Sequence, residues 1–164
     1  METTNLIPQS LGMQPAIQMH TAHHETFFYR GKNKRIIGFS VVEEKAWNSV
    51  PGPLVYAVTD GQGVVRYIGK WVSNTPLRSR WIRHGFIHHH EATRNHYLRE
   101  IESARARLTV WVVTAEELAG RLGFTAGDDL SSKQVAAHLE LKLFDKWRSQ
   151  LSWNHTRPAV STRL

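Results

Sequence analysis

The chain has 164 residues and a mass of 18.8 kDa, enough for one domain with a sizeable core. It contains no cysteine, which excludes disulfide scaffolds, thiolate zinc sites and thiol catalysis. No apolar run can span a bilayer and no secretory leader opens the sequence, so a cytoplasmic protein without a membrane partner is expected. A formal net charge of +7, with ten His in reserve, favours a polyanionic partner.

Residues 1–25 are rich in Gln, Thr, Pro, Met and His without hydrophobic periodicity, and predict a flexible arm. From Thr26 to Val42 a β-rich stretch surrounds the turn-like Arg30-Gly31-Lys32-Asn33-Lys34 and predicts a hairpin, the centre of a β-rich extension over 26–52. The breaker cluster Ser49-Val50-Pro51-Gly52-Pro53 then opens a main domain over 53–158, followed by a tail at 159–164. Leu54–Thr59 and Val64–Gly69 read as strands joined by Asp60-Gly61-Gln62-Gly63. A two-residue Gly61-Gln62 loop sets Tyr56 opposite Tyr67 on one sheet face.

Thr75 as N-cap and Pro76 at the first helical position open a helix that carries Leu77, Arg78, Arg80, Trp81, Arg83 and His84 and ends at Gly85. A second helix runs from Asn95 to Ala104 with Tyr97, Leu98 and Ile101 inward. Leu108–Thr114 is a third strand, and a short helix spans Ala115 to about Gly123. After a Gly/Asp loop over Phe124–Leu130, Ser131 or Ser132 caps a long helix reaching about Leu151. This order of elements is an α+β single domain.

The charge is concentrated. Between Arg66 and Arg107 nine basic residues face only Glu91, Glu100 and Glu102, a net of +6 out of +7, and the same quarter holds five His plus Trp71 and Trp81. A run of charge is often only a solvated helix face, but interleaved basic and aromatic side chains suit a nucleic-acid surface. Lys70, Arg78, Arg83, His88 and Arg94 are the candidate DNA contacts.

In the last helix, with Leu139 as origin, Val135, Ala136, Leu143, Phe144, Trp147 and Leu151 share one arc, and Glu140 falls inside it at about +100°. A carboxylate aimed at a core needs a cation. Glu140 is then either half of a structural salt bridge to an inward Arg, or a metal ligand or catalytic acid at a working site. Arg80 and His84, four apart, share a face, as two surface side chains or as a functional pair. His84 and His88 have the spacing of a zinc helix, but Gly85 interrupts the turn and no helical Glu accompanies them, so His88-His89-His90 read as loop histidines near phosphate.

Leu54-Val55-Tyr56, a ten-residue gap, and Tyr67-Ile68-Gly69-Lys70 resemble the two half-motifs of the GIY-YIG nuclease family, with Leu-Val standing where the family name has Gly-Ile. Leu77-Arg78-Ser79-Arg80 resembles the family's helix with its catalytic Arg, and His84 matches a His of its restriction and homing branches. Glu140 matches the single metal-binding Glu, and Asn154 the Asn that follows that helix. The resemblance covers about Pro53 to Pro158.

It implies a small three-stranded antiparallel sheet flanked by helices, here with an N-terminal β-rich extension. It also implies a metal-dependent endonuclease acting on double-stranded DNA. Tyr56 would be the base, its phenol acidified by cations among Lys70, Arg80 and His84, and His84 would take the proton onward. Tyr67 would line the site, Lys70 could hold the phosphate instead, and Arg80 would fork onto a phosphate oxygen. Glu140 would hold one Mg²⁺ or Mn²⁺. Asn154 would donate to a phosphate or brace the site. A restriction-type enzyme would act as a homo-oligomer, a dimer cutting both strands, with target readout from the hairpin and the 115–131 insertion, and a phage or mobile-element nuclease is the related use. The alternatives are a structure-specific repair nickase, a ribonuclease, and a non-cleaving nucleic-acid-binding module on the same scaffold.

Overall fold

The computed structural model describes residues 4–49, 52–73, 75–78, 91–125 and 130–160. Its strands are β1 (Gln14–Tyr29), β2 (Lys32–Val41), β3 (Leu54–Thr59), β4 (Val65–Trp71) and β5 (Leu108–Thr114). Its helices are α1 (Glu91–Ala104), α2 (Ala115–Arg121) and α3 (Ser132–Trp147), with a short 3-10 turn at Pro8–Leu11 and a π turn at Lys45–Ser49. The strands form one antiparallel sheet in the order β2-β1-β5-β3-β4.

The sheet therefore has five strands rather than three. The expected three, β5-β3-β4, are joined by β1 along the free side of β5 and by β2 beyond it. The flexible arm expected over residues 1–25 is, in its described part, the 3-10 turn and the greater part of β1. Leu6, Leu11, Met13, Ala16, Ile17 and Met19 are all buried. The hairpin turn is tighter than the sequence suggested. Tyr29 pairs with Lys32, and the two residues between them, Arg30 and Gly31, both have positive φ, 48° and 78°. That conformation matches the twist of a two-residue hairpin.

Alternation along each strand sorts side chains onto two cores. Tyr56, Val58, Leu108, Val110 and Val112 pack with Tyr97 and Ile101 of α1 and with Ile17, Met19, Leu77 and Trp153. Val55, Ala57, Val65, Ile68 and Val113 pack with Leu118 of α2 and with Val135, Leu139, Leu143 and Phe144 of α3. Three layers result, with α1 on one side of the sheet and α2 and α3 on the other.

α3 begins on a capping box: the Ser131 hydroxyl accepts from the Gln134 N–H, and the Gln134 side chain accepts from the Ser131 N–H. It ends at Trp147, four residues before the expected end. α1 starts at Glu91 rather than Asn95, with Tyr97 and Ile101 inward as expected. Most of the helix expected from Thr75 to Gly85 lies outside the described residues.

Candidate active site

β4 is an edge strand, so the two faces of the sheet meet around it. A segment after α3 closes this edge. The Trp153 N–H donates to the Arg66 carbonyl at 2.9 Å. The Asn154 side chain then acts as a stand-in for a neighbouring strand. Its Oδ1 accepts from the Ile68 N–H and its Nδ2 donates to the Ile68 carbonyl, both at 2.9 Å. Of the two roles open to Asn154, bracing is the one seen here, because both ends of its amide are engaged by one residue of β4, Ile68.

Under this segment lies a pocket of about 110 Å³ lined by Tyr67, Thr93, Glu140, Asn154, His155, Thr156 and Pro158. Tyr67 arrives from the α1 side of β4 and Glu140 from α3 on the other side. Glu140 is 7% exposed, and its Oε2 accepts from Lys70 Nζ at 2.6 Å. Burial pushes its carboxyl above the ordinary range, and Lys70 only partly opposes this. The buried carboxylate read from the helical arc thus meets a cation, a Lys of β4 rather than an Arg.

Tyr56 does not sit directly opposite Tyr67. It pairs with Gly69, and Tyr67 pairs with Val58. Two extra residues cause the offset. Gly63, at φ 81°, adds one in the turn, and Arg66 adds a second at the irregularity between the Thr59–Val65 and Val58–Tyr67 pairs. Two single steps leave both side chains on one face, and the rings lie 6.1 Å apart between centroids. Tyr56 is 1% exposed, its ring laid across Gly69, whereas Tyr67 is half-buried at the pocket wall.

The remaining expected residues divide three ways. Arg78 is exposed and Lys70 half-exposed. Arg94 is 4% exposed and its guanidinium donates to the Arg35 carbonyl, so this candidate DNA contact is a buried structural residue. It belongs to the helix face that receives the hairpin, which a charge count along the sequence does not resolve. Arg80, Arg83, His84 and His88 lie outside the described residues.

The structure adds a residue that the sequence did not single out. His155 lines the pocket and stacks on His96 of α1 at 5.0 Å, and His96 stacks in turn on Trp153 at 5.9 Å. Burial, His155 and Arg99 hold the His96 imidazole below its usual range, with Glu100 opposing. The one available signal was that His155 directly follows Asn154.

Asn154→Ala should destabilise the protein by about 1–3 kcal/mol, because it leaves the Ile68 N–H and C=O on a covered edge without partners. Chemical denaturation measures the loss.

Among the described residues no three His, Asp or Glu side chains converge as a ready metal cluster. Mg²⁺ is often held through one or two carboxylates, with water and phosphate completing its shell. A single carboxylate at the wall of a small pocket fits that requirement. No family model, no curated protein and no solved structure matches the chain.

Proposed function

We propose that the chain is a metal-dependent nuclease that hydrolyses phosphodiester bonds of double-stranded DNA at the Glu140–Tyr67 pocket, in the manner the GIY-YIG resemblance implies. The observation that carries the reading is the convergence of Glu140, Tyr67 and His155 on one pocket at the edge of the Tyr-Ile-Gly-Lys strand. The concentration of +6 between Arg66 and Arg107 supports a DNA substrate.

In this proposal Glu140 holds Mg²⁺ or Mn²⁺, which when bound would neutralise charge on the phosphate and ease departure of the leaving oxygen. Lys70 favours the ionised form of the Glu140 carboxylate and orients it. Tyr67 hydrogen-bonds the phosphate or the attacking water at the pocket wall. Tyr56 keeps the role of base that the resemblance gives it, and Arg80 and His84 keep those of phosphate fork and proton acceptor. His155, whose imidazole lines the same pocket, is a second acceptor at the wall. Asn154 holds β4 in place. Dimerisation, restriction-type or mobile-element use and a cytoplasmic location belong to the same proposal.

The test is cleavage of supercoiled plasmid in Mg²⁺ or Mn²⁺, with sequencing of the cut ends. A fixed site means restriction-type use, and scattered ends mean repair or general nuclease use. Binding of a duplex should fall steeply with salt, with a slope of log K against log salt near about −5 for about six phosphates. The absence of cleavage with retained binding would favour the second reading, a non-cleaving nucleic-acid-binding module. That reading draws on two observations: Lys70 already occupies the Glu140 carboxylate, and Tyr56 is sealed in the core.

A further inference from the structure

A second, larger pocket of about 630 Å³ opens at the other end of β4. Asp60, Gly61 and Gln62 of the β3–β4 turn, Arg66 of β4, Glu100 and Ala104 of α1, and the Arg105-Ala106-Arg107 link to β5 line it. Gly61 is seated against Ala106, where a Cβ on the glycine would come to 3.0 Å of the alanine methyl. The turn and the link are therefore packed into one wall.

Three guanidiniums face two acids here, and one acid is already engaged. Asp60 accepts from the Gln62 and Val64 N–H groups at 2.9 and 3.0 Å and from Arg66 Nε at 2.9 Å. Nε is one of five N–H donors that an arginine carries. Among the described residues the Arg105 and Arg107 guanidiniums make no hydrogen bond or ion pair, and both residues are exposed.

Arg105 has φ 49° and stands just past the end of α1, where the Ala106 N–H donates back to the Glu100 carbonyl. That helix stop favours glycine, because a Cβ is strained in the left-handed region. Arginine there is a poor choice for the fold alone. A cation near a helix C-terminus also answers the helix dipole, but that role does not require this backbone, and Arg107 lies beyond the helix.

We infer that the pocket formed by Arg66, Arg105 and Arg107 binds a backbone phosphate of the DNA strand that passes through the Glu140 pocket, a few nucleotides from the phosphate to be cut. The inference rests on the nuclease reading for the identity of the strand. The spacing fits. Thr93, in the wall of the first pocket, and Glu100, in the wall of the second, lie on the same helix, α1. The rise between them is about 10 Å, and a strand advances about 3.4 Å per nucleotide, so the two pockets are about three nucleotides apart. Arg66 and Tyr67, adjacent on β4, tie the two pockets together.

The experiment compares Arg105→Gly, Arg107→Gln and the double variant with wild type, using full-length protein and a 20-base-pair DNA duplex across a salt series. Each variant should weaken binding about equally on any sequence, and the double variant should flatten the slope of log K against log salt by about two. Arg105→Gly should also melt at or above the wild-type temperature, because glycine relieves the left-handed backbone while removing the charge. Wild-type affinity and slope in the double variant would overturn the inference and leave the Glu140 site standing. A lowered melting temperature in Arg105→Gly with unchanged binding would likewise overturn it by making Arg105 structural. An arginine-dependent slope in a protein that binds DNA but does not cut would uphold this pocket and reject the nuclease reading.

Discussion

Glu140→Gln should fold with near wild-type stability, bind DNA and fail to cut it. Removing one member of a buried ion pair usually costs about 3–5 kcal/mol, because the other charge is stranded. Here the stranded group would be Lys70, whose side chain is 28% exposed and keeps access to water. Glutamine also retains an oxygen for the ammonium, and burial already disfavours the carboxylate it replaces. The melting temperature should therefore move little. Cleavage should fall about a thousandfold or more, since loss of a main electrostatic stabiliser at a reacting phosphate is worth about 4 kcal/mol of barrier. Single-turnover plasmid cleavage in Mg²⁺ and Mn²⁺, beside a thermal melt with and without Mg²⁺, measures both. A variant that cuts at more than a few per cent of the wild-type rate removes Glu140 from the chemistry. A large drop in melting temperature would return the Lys70 pair to a purely structural role.

The second large effect is expected at Gly69, and the reason is space rather than backbone freedom. A Cβ built on Gly69 would lie 2.5 Å from Tyr56 Cζ and 2.6 Å from its hydroxyl oxygen. The ring belongs to the core and cannot swing into solvent, so Gly69→Ala must push the tyrosine or part β3 from β4. Overpacking of this kind costs about 1–3 kcal/mol, and in a chain of this size each kcal/mol is worth about 2–4 °C. A melting temperature lowered by about 3–10 °C is expected, with cleavage reduced further because Tyr56 bears on Tyr67. Gly120→Ala is the control. Gly120 is helical with nothing within 4 Å of the added methyl, so the same substitution there should be neutral or mildly stabilising.

What the sequence could and could not announce follows from where the chain keeps its periodicity. β5 reads directly from Leu108–Thr114 because its β-branched and aromatic residues run without a breaker and Thr114 caps α2. Glu140 reads directly because a charge inside an apolar helical arc has few explanations. β1 does not read because its pairing with β5 slips between Pro15 and Ile17. That slip carries the apolar side chains from one face, at Met13, to the other, at Ile17 and Met19. An interrupted alternation among Gln, His and Thr looks like no alternation. The two-residue offset of the tyrosines was hidden for a related reason: a bulge adds a residue without leaving a compositional mark. Arg94 was misplaced because exposure depends on which element covers a helix, and the covering hairpin lies far away in sequence.

The placement of β5 between β1 and β3 also constrains how the chain can be assembled during synthesis. β1 and β2 pair through a local turn and can form early, as can β3 and β4. The two hairpins share no strand pairing, and their sheet is completed only when Leu108–Thr114 arrives to pair Gln14 with Val112 on one side and Tyr56 with the same Val112 on the other. Contacts this distant along the chain close slowly. Until then β1 and β3 each present an unpaired inner edge, the feature that recruits foreign strands. A nascent chain stalled before Leu108 holds two half-sheets and no means of joining them. β5 is thus the keystone, and nearly two thirds of the polypeptide must be made before it appears.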